Sequence, residues 1–264
     1  MAITSYRTIW ISDLHLGSTQ CQADVLLDFL KYNDSEKLYL VGDIIDFWSL
    51  SKKMYWPRDH NIVIQKLLRK ARHGTQIIYI PGNHDENVRD YDSYVFGDII
   101  VKKSDIHTTA SGQRFLVVHG DEYDTIARCH RWLAKLGSES YDILLELNRY
   151  LRAVRRWLGI QSHFSLAAYL KFKVKNAVQF ISDYEESIVN TLRDEDVDGV
   201  VCGHIHHAEI KDIGGFLYVN TGDFVESCTA IVEHGSGRLE LINWHKAETA
   251  IEYEHLEATN LPNT

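Results

Sequence analysis

Short apolar runs, rich in β-branched and aromatic residues, recur along the chain, and each ends in a polar cluster. Residues 7–11 lead into Ser12-Asp13, 38–41 into Gly42-Asp43, and 76–80 into Pro81-Gly82-Asn83. Residues 115–118 lead into His119-Gly120-Asp121, and 199–202 into Gly203-His204. Runs of this length with no polar face predict buried strands whose ends carry chemistry. Apolar positions at helical spacing over 23–31 and 62–72 lie between the first three runs, giving a βαβαβ pattern and an α/β class. The stretch 216–243 predicts further short strands.

Residues 125–193 break this rhythm. Apolar positions recur at helical spacing (Trp132, Leu136; Leu144, Leu147, Leu151, Val154, Leu158), with Gly137 and Gly159 almost the sole turn punctuation. This predicts a helical cap inserted between two core strands of one domain spanning 1–264. For the apolar stripes alone, an ordinary pair of packed helices is the better reading.

Composition narrows the class without naming a function. A chain of 264 residues, 45% hydrophobic with 3 Pro and 16 Gly, can bury a substantial core and has no collagen-like or long disordered tract. Its start has no apolar stretch of signal-peptide length, and its longest uncharged stretch, 157–170, is shorter than the roughly 20 residues of a membrane span. Cys21, Cys129, Cys202 and Cys228 are scattered, as expected of reduced thiols in a cytoplasmic protein. The formal charge of −9 disfavours a general affinity for nucleic acid. Residues 124–180 carry +6, which leaves −15 on the remainder, so the insertion is a basic island.

The strand-end clusters are Asp13-Leu14-His15, Gly42-Asp43, Gly82-Asn83-His84-Asp85, His119-Gly120-Asp121 and Gly203-His204-Ile205-His206. Together they supply carboxylate, imidazole and amide donors without cysteine, a set suited to Mn²⁺, Fe²⁺, Zn²⁺ or Mg²⁺ rather than to a thiolate zinc site. On an extended backbone, Asp-x-His and His-x-His would each present both side chains to one face. Gly42, Gly82, Gly120 and Gly203 predict tight turns or close backbone approach beside the donors. A single His is more often a core or surface residue and a single Asp more often a cap. Five clusters together reverse that expectation. His60, His73, His107, His130, His163, His207, His234 and His245 lack such company and read as structural.

These motifs, in this order and spacing, resemble those of the calcineurin-like metallophosphoesterases over roughly residues 7–243. The resemblance implies an αββα sandwich of two mixed sheets flanked by helices, and a binuclear centre. One metal would take Asp13, His15, Asp43 and His206. The other would take Asp43, Asn83, His119 and His204, with Asp43 bridging. Two such ions, about 3.5–4 Å apart, activate a shared water and clamp the phosphoryl oxygens for in-line attack. His84 resembles the residue that meets the phosphate and protonates the leaving oxygen, oriented by Asp85. Asp121 and Asp223 are candidates to hold ligating histidines from behind.

Within that family, the runs 11–17 and 42–48 and the basic insertion resemble the UDP-2,3-diacylglucosamine diphosphatases. Those enzymes release UMP from a nucleotide-linked glycolipid in lipid A synthesis. The resemblance implies two divalent ions, most readily Mn²⁺, and a contact with the cytoplasmic face of the inner membrane. It also implies an apolar lid whose Arg152, Arg155, Arg156, Lys171 and Lys175, with Asp124, meet the substrate. The diphosphatases carry Gly-Asn-Arg-Asp where this chain has Gly82-Asn83-His84-Asp85. Unlike Arg, His gives up a proton near neutral pH and can serve a poor alkoxide leaving group. A phosphomonoesterase or phosphodiesterase on a soluble substrate is therefore the second reading, and a non-catalytic scaffold the third.

Overall fold

The computed structural model describes residues 3–123, 166–193 and 195–244, with the backbone alone described over 166–178. The chain divides into two compact units, Met1–Asp121 with Thr191–Thr264, and Glu122–Asn190.

The first unit is built on two mixed β-sheets. Strands β1 (Thr4–Ile11), β2 (Asn33–Val41), β3 (Gln76–Ile80) and β5 (Ile99–Val101) run parallel, extended by β11 (Thr229–Glu233), β12 (Leu239–Asn243) and the two-residue β4 (Val95–Phe96). The order is β12-β11-β1-β2-β3-β5-β4, with antiparallel pairing at both margins. The second sheet runs β6 (Asp105–Thr108), β7 (Arg114–Val117), β8 (Gly199–Cys202), β10 (Phe216–Asn220), β9 (Glu209–Ile213). Its centre, β7-β8-β10, is parallel.

Alternation along the strands creates the layers, because successive side chains point to opposite faces. Ile9, Ile11, Leu38, Leu40 and Ile77 pack beneath α1 (Ala23–Tyr32) and α3 (Arg58–Arg72), with Leu26, Phe29, Val63 and Leu67 from the helices. Trp10, Tyr39, Val41, Ile78 and Ile80 point the other way and meet Phe115, Val117, Val201 and Val219 of the second sheet. The first sheet is covered on both faces, so its strands read as unbroken apolar runs.

The predicted strands at 76–80 and 199–202 match β3 and β8, while β1 and β2 begin earlier than predicted, with polar residues that no periodicity marks. The short α2 (Phe47–Lys52) was not foreseen; Asp46 caps it by accepting the Ser49 N–H at 2.7 Å. Leu166–Leu192, which begins in the second unit, forms α4, a 27-residue helix. The apolar stripe from Trp132 to Leu158 lies outside the described residues, as do Cys129, His130, His163 and His245. No helix among the described residues is long and apolar enough to cross a membrane.

Candidate metal centre

Strands β1, β2, β3, β7 and β8 all end on one side of the sandwich, and the predicted donors sit just beyond those ends. They are not on extended backbone, however. Asp13, His15, Asp43, His204 and His206 all have positive φ, between 49° and 72°. The pairs converge because these residues occupy left-handed turns, not because strand side chains alternate. Such backbone costs on the order of 1–3 kcal/mol per residue and persists where surrounding structure and function require it. Asp and His tolerate it better than most residues.

Two donor groups result. Asp13, His15 and His206 bring ligand atoms within 4.8 Å of one another, and so do Asp43, His119 and His204. The groups touch: His15 Nε2 lies 3.9 Å from both Asp13 Oδ1 and Asp43 Oδ2, His206 Nε2 lies 3.2 Å from Asp13 Oδ1, and His119 Nε2 lies 3.4 Å from Asp43 Oδ2. Asp13 Oδ1, His15 Nε2, Asn83 Oδ1 and His119 Nε2 are buried atoms without a hydrogen-bond partner. Polar atoms in a folded interior are normally satisfied, so three orphans within the two donor groups, with buried Asn83 Oδ1 as a fourth, fit a site built for cations. Six of the seven predicted ligands fall in these two groups, and Asn83 precedes His84, whose N–H donates to Asp43 Oδ1 at 2.8 Å.

Charge distribution agrees with that purpose. Burial disfavours the ionised form of Asp13 and of Asp43, but neighbouring imidazoles, His206 for the former and His119 for the latter, outweigh it and hold both carboxyls below the usual range. Burial likewise opposes charge on His119 and His206, but Asp43 lifts His119 to about 10 and Asp13 lifts His206 to about 9. Those are the protons that metal binding displaces, so affinity weakens as the pH is lowered.

Glycine makes the close packing feasible. A Cβ on Gly42, where φ is 81°, would overlap the His119 ring, and one on Gly82 would strike the Asp43 carboxylate. The Asp43 carboxylate, a member of one group and 3.9 Å from His15 Nε2 of the other, is therefore approached by bare backbone.

The supports behind the donors differ in part from expectation. Asp85 does not orient His84. Its buried carboxylate turns inward and accepts the N–H groups of Gly82 (2.5 Å), Ile44 (2.7 Å), Asp43 and Ile45 (both 3.3 Å), and the Tyr79 hydroxyl. Its role is to tie the Asp43 loop to the Gly82 loop. The acid that holds His84 is Asp46, whose Oδ1 lies 3.0 Å from His84 Nδ1 and whose Oδ2 lies 3.3 Å from His15 Nδ1. Burial would raise the Asp46 pKa, but these contacts and Ser49 hold it well below the carboxylate range. Two apolar neighbours, Ile45 and Phe47, hid Asp46 in the sequence; its position three residues after Asp43, ahead of a helix start, was the available signal.

Asp223 stands 3.7 Å from His206 Nδ1, as expected, with Oδ1 accepting the N–H groups of Val225, Glu226 and Ser227. Asp121 pairs with Arg89 at 2.6 Å instead of with a histidine, and His119 Nδ1 faces the Val41 carbonyl at 2.9 Å. His84 itself is gripped by the Trp48 ring at 4.1 Å and, edge-on, by His15 at 4.6 Å. Its Nε2 faces Asp43 Oδ2 at 4.0 Å. His60 accepts the Gly17 N–H, and His107 pairs with buried Glu233, both consistent with structural roles. Asp124, Arg152, Arg155 and Arg156 lie outside the described residues, and Lys171 and Lys175 fall on α4 where side chains are not described.

A family model described as calcineurin-like phosphoesterase matches residues 6–208. The chain is similar to the UDP-2,3-diacylglucosamine hydrolase of Chromohalobacter salexigens, with 25% identity over 78% of this chain and 82% of that one. It is 25% identical to the protein of that name from Haemophilus influenzae, over 86% and 94% of the two chains. A hypothetical protein of known structure from Pyrococcus horikoshii aligns at 9% identity over 96% and 94%, with a TM-score of 0.46.

Proposed function

The chain belongs to the calcineurin-like phosphoesterase family, and from that premise we propose that it hydrolyses the pyrophosphate of a UDP-linked diacylglucosamine, releasing UMP. The four buried, unpartnered donor atoms are the observation that carries the hydrolytic reading. The substrate class rests on the similar proteins named UDP-2,3-diacylglucosamine hydrolase, which align over most of the chain.

In this reading Asp13, His15, Asp43 and His206 hold one divalent ion, and Asp43, Asn83, His119 and His204 hold the other. Manganese is the first choice from the family resemblance, since mixed imidazole and oxygen donors accept Mn²⁺, Fe²⁺ or Zn²⁺ alike. When bound, the pair supplies Lewis acidity and a water of lowered pKa. The chain's own groups do the rest. Asp46 orients two imidazoles at once: it fixes His15 so that Nε2 faces the centre, and it fixes His84 at Nδ1 so that Nε2 faces the phosphate position. His84 then steadies the phosphoryl oxygens or gives a proton to the leaving oxygen. Trp48 and His15 keep its ring from turning away. Residues 125–193 form the cap in this proposal, and Arg152, Arg155, Arg156, Lys171 and Lys175, with Asp124, meet the anionic head while apolar helix faces shield the chains. Such a substrate brings the enzyme to the inner face of a membrane, with no role for nucleic acid.

The test is mass spectrometry of products after incubating Mn²⁺-loaded enzyme with UDP-2,3-diacylglucosamine. UMP and the sugar 1-phosphate are expected. No turnover there, alongside brisk hydrolysis of a simple alkyl phosphodiester, would favour the ester reading, which the Asp46-held His84 supports.

A further inference from the structure

Asn83 and His119, assigned above to one ion, sit on loops that no β-ladder joins. Asn83 follows β3 of the first sheet, whose last pair with β2 is Ile80–Val41. His119 follows β7 of the second sheet, whose last pair with β8 is Val117–Val201. Other members of that ligand set are clasped to one another locally. The His84 N–H donates to Asp43 Oδ1 at 2.8 Å, and Asp85 gathers the N–H groups of Asp43 and Gly82. His119 Nδ1 meets the Val41 carbonyl at 2.9 Å, and the Gly203 N–H donates to the His119 carbonyl at 3.1 Å. None of these contacts runs from the Asn83 loop to the His119 loop.

Arg89, in the 3₁₀ segment Glu86–Tyr91, makes that connection. Its Nε and Nη2 donate to the Pro81 carbonyl at 3.4 and 3.2 Å, and Nη2 also donates to Asp121 Oδ1 at 2.6 Å. Pro81 lies just before Gly82-Asn83, and buried Asp121 just after His119-Gly120. One planar guanidinium therefore grips both loops, a task that suits a rigid fork of donors better than a single ammonium. Asn83 Oδ1 and His119 Nε2, both buried and without a hydrogen-bond partner, are the donor atoms on the two loops so joined.

We propose that Arg89, paired with Asp121, is a positioning residue: it sets the spacing of Asn83 and His119 and thereby the affinity for the ion they share. The ion assigned to Asp13, His15 and His206 relies on other supports, Asp46 and Asp223 among them. The inference rests on the two-ion reading above and is independent of which phosphoester is cleaved.

Mn²⁺ titration of the full chain, followed by calorimetry and electron paramagnetic resonance, tests it. Wild type should bind two ions and show the signal of a spin-coupled pair. Arg89→Lys keeps a positive charge opposite Asp121 and loses the fork. It should raise one of the two dissociation constants by about 10–100-fold and leave the other unchanged. At Mn²⁺ concentrations that give the coupled pair in wild type, its spectrum should be that of an isolated ion. In crystals of Arg89→Lys soaked at limiting Mn²⁺, anomalous density should fall at the Asn83 and His119 position and persist at the His15 and His206 position. Asp121→Asn, which keeps an acceptor for Arg89 without the charge, should weaken the same ion by less. A salt bridge that merely stabilises the fold would lower the melting temperature without favouring one ion over the other. Wild-type affinities in both variants, or equal weakening of the two ions, would overturn the proposal while leaving the two-ion reading intact. A wild type that binds one ion or none would remove both.

Discussion

Replacing Asp46 by Asn leaves the shape of the side chain and removes its charge, which isolates what this carboxylate does for the metal centre. In the native protein its oxygens accept from His84 Nδ1, His15 Nδ1, the Ser49 N–H and the Ser49 hydroxyl. An amide keeps one acceptor and gains a donor. With its oxygen kept on the helix cap and His84, the NH₂ faces His15 Nδ1 and forces that nitrogen to accept. The proton then moves to Nε2, which is the nitrogen that must be free to ligate. Loss of such a support typically costs about 10–100-fold in metal affinity or activity, equivalent to roughly 1.4–2.7 kcal/mol. Folding should change little, since Asn caps helices about as well as Asp, whereas Asp46→Ala should also lose about 1 kcal/mol of stability. Hydrolysis of bis-p-nitrophenyl phosphate, titrated with Mn²⁺, separates the effects: the half-saturating concentration should rise, and saturating metal should recover part of kcat/KM. Wild-type metal affinity together with wild-type kcat/KM in Asp46→Asn would refute the tautomer argument.

Asp43→Ala should empty both metal positions and abolish hydrolysis, because both donor groups contain or touch that carboxylate; two metals per chain by mass spectrometry of the variant would contradict this. If His84 donates a proton, His84→Ala should lose about 10²–10⁴-fold on an alkyl phosphodiester and far less on a p-nitrophenyl ester, whereas equal losses rescued by His84→Arg would reduce its role to positive charge. Glu233, buried and bonded to His107, Ala110, Arg7 and Thr8, has a carboxyl pKa of about 2 against an ordinary 4.5, since those partners outweigh the effect of burial. It therefore contributes about 3 kcal/mol that is present above pH 4.5 and lost as the pH falls toward 2. Urea unfolding across that range should show a flatter profile for Glu233→Gln, and superimposable slopes would disprove the linkage.

The buried strands, the mixed α/β class and the convergence of Asp13, His15, Asp43, His119, His204 and His206 were legible because each apolar run ends abruptly in residues with no reason to be there except chemistry. Asp46 was hidden by that same logic. It sits inside an apolar run, and its importance comes from where the chain turns after Ile45, which no periodicity encodes. The error at Asp85 has a similar origin: adjacency to His84 suggested a partnership, but the turn at Gly82 sends the carboxylate inward to the Asp43 loop. The left-handed conformation at Asp13, His15, Asp43, His204 and His206 was equally invisible, since extended spacing accounts for the same pairs. Gly42 and Gly82 were read correctly, because a Cβ at either has nowhere to go.

The central claim is that one polar floor at the strand ends holds two divalent ions and hydrolyses a phosphorus–oxygen bond through them. Metal analysis of Mn²⁺-loaded protein, followed in parallel with phosphodiester hydrolysis during chelation and metal return, tests it most directly. Two ions per chain, with activity vanishing as they are stripped and returning as they are restored, is the expected result; full activity retained in chelator-treated, metal-free protein would contradict it.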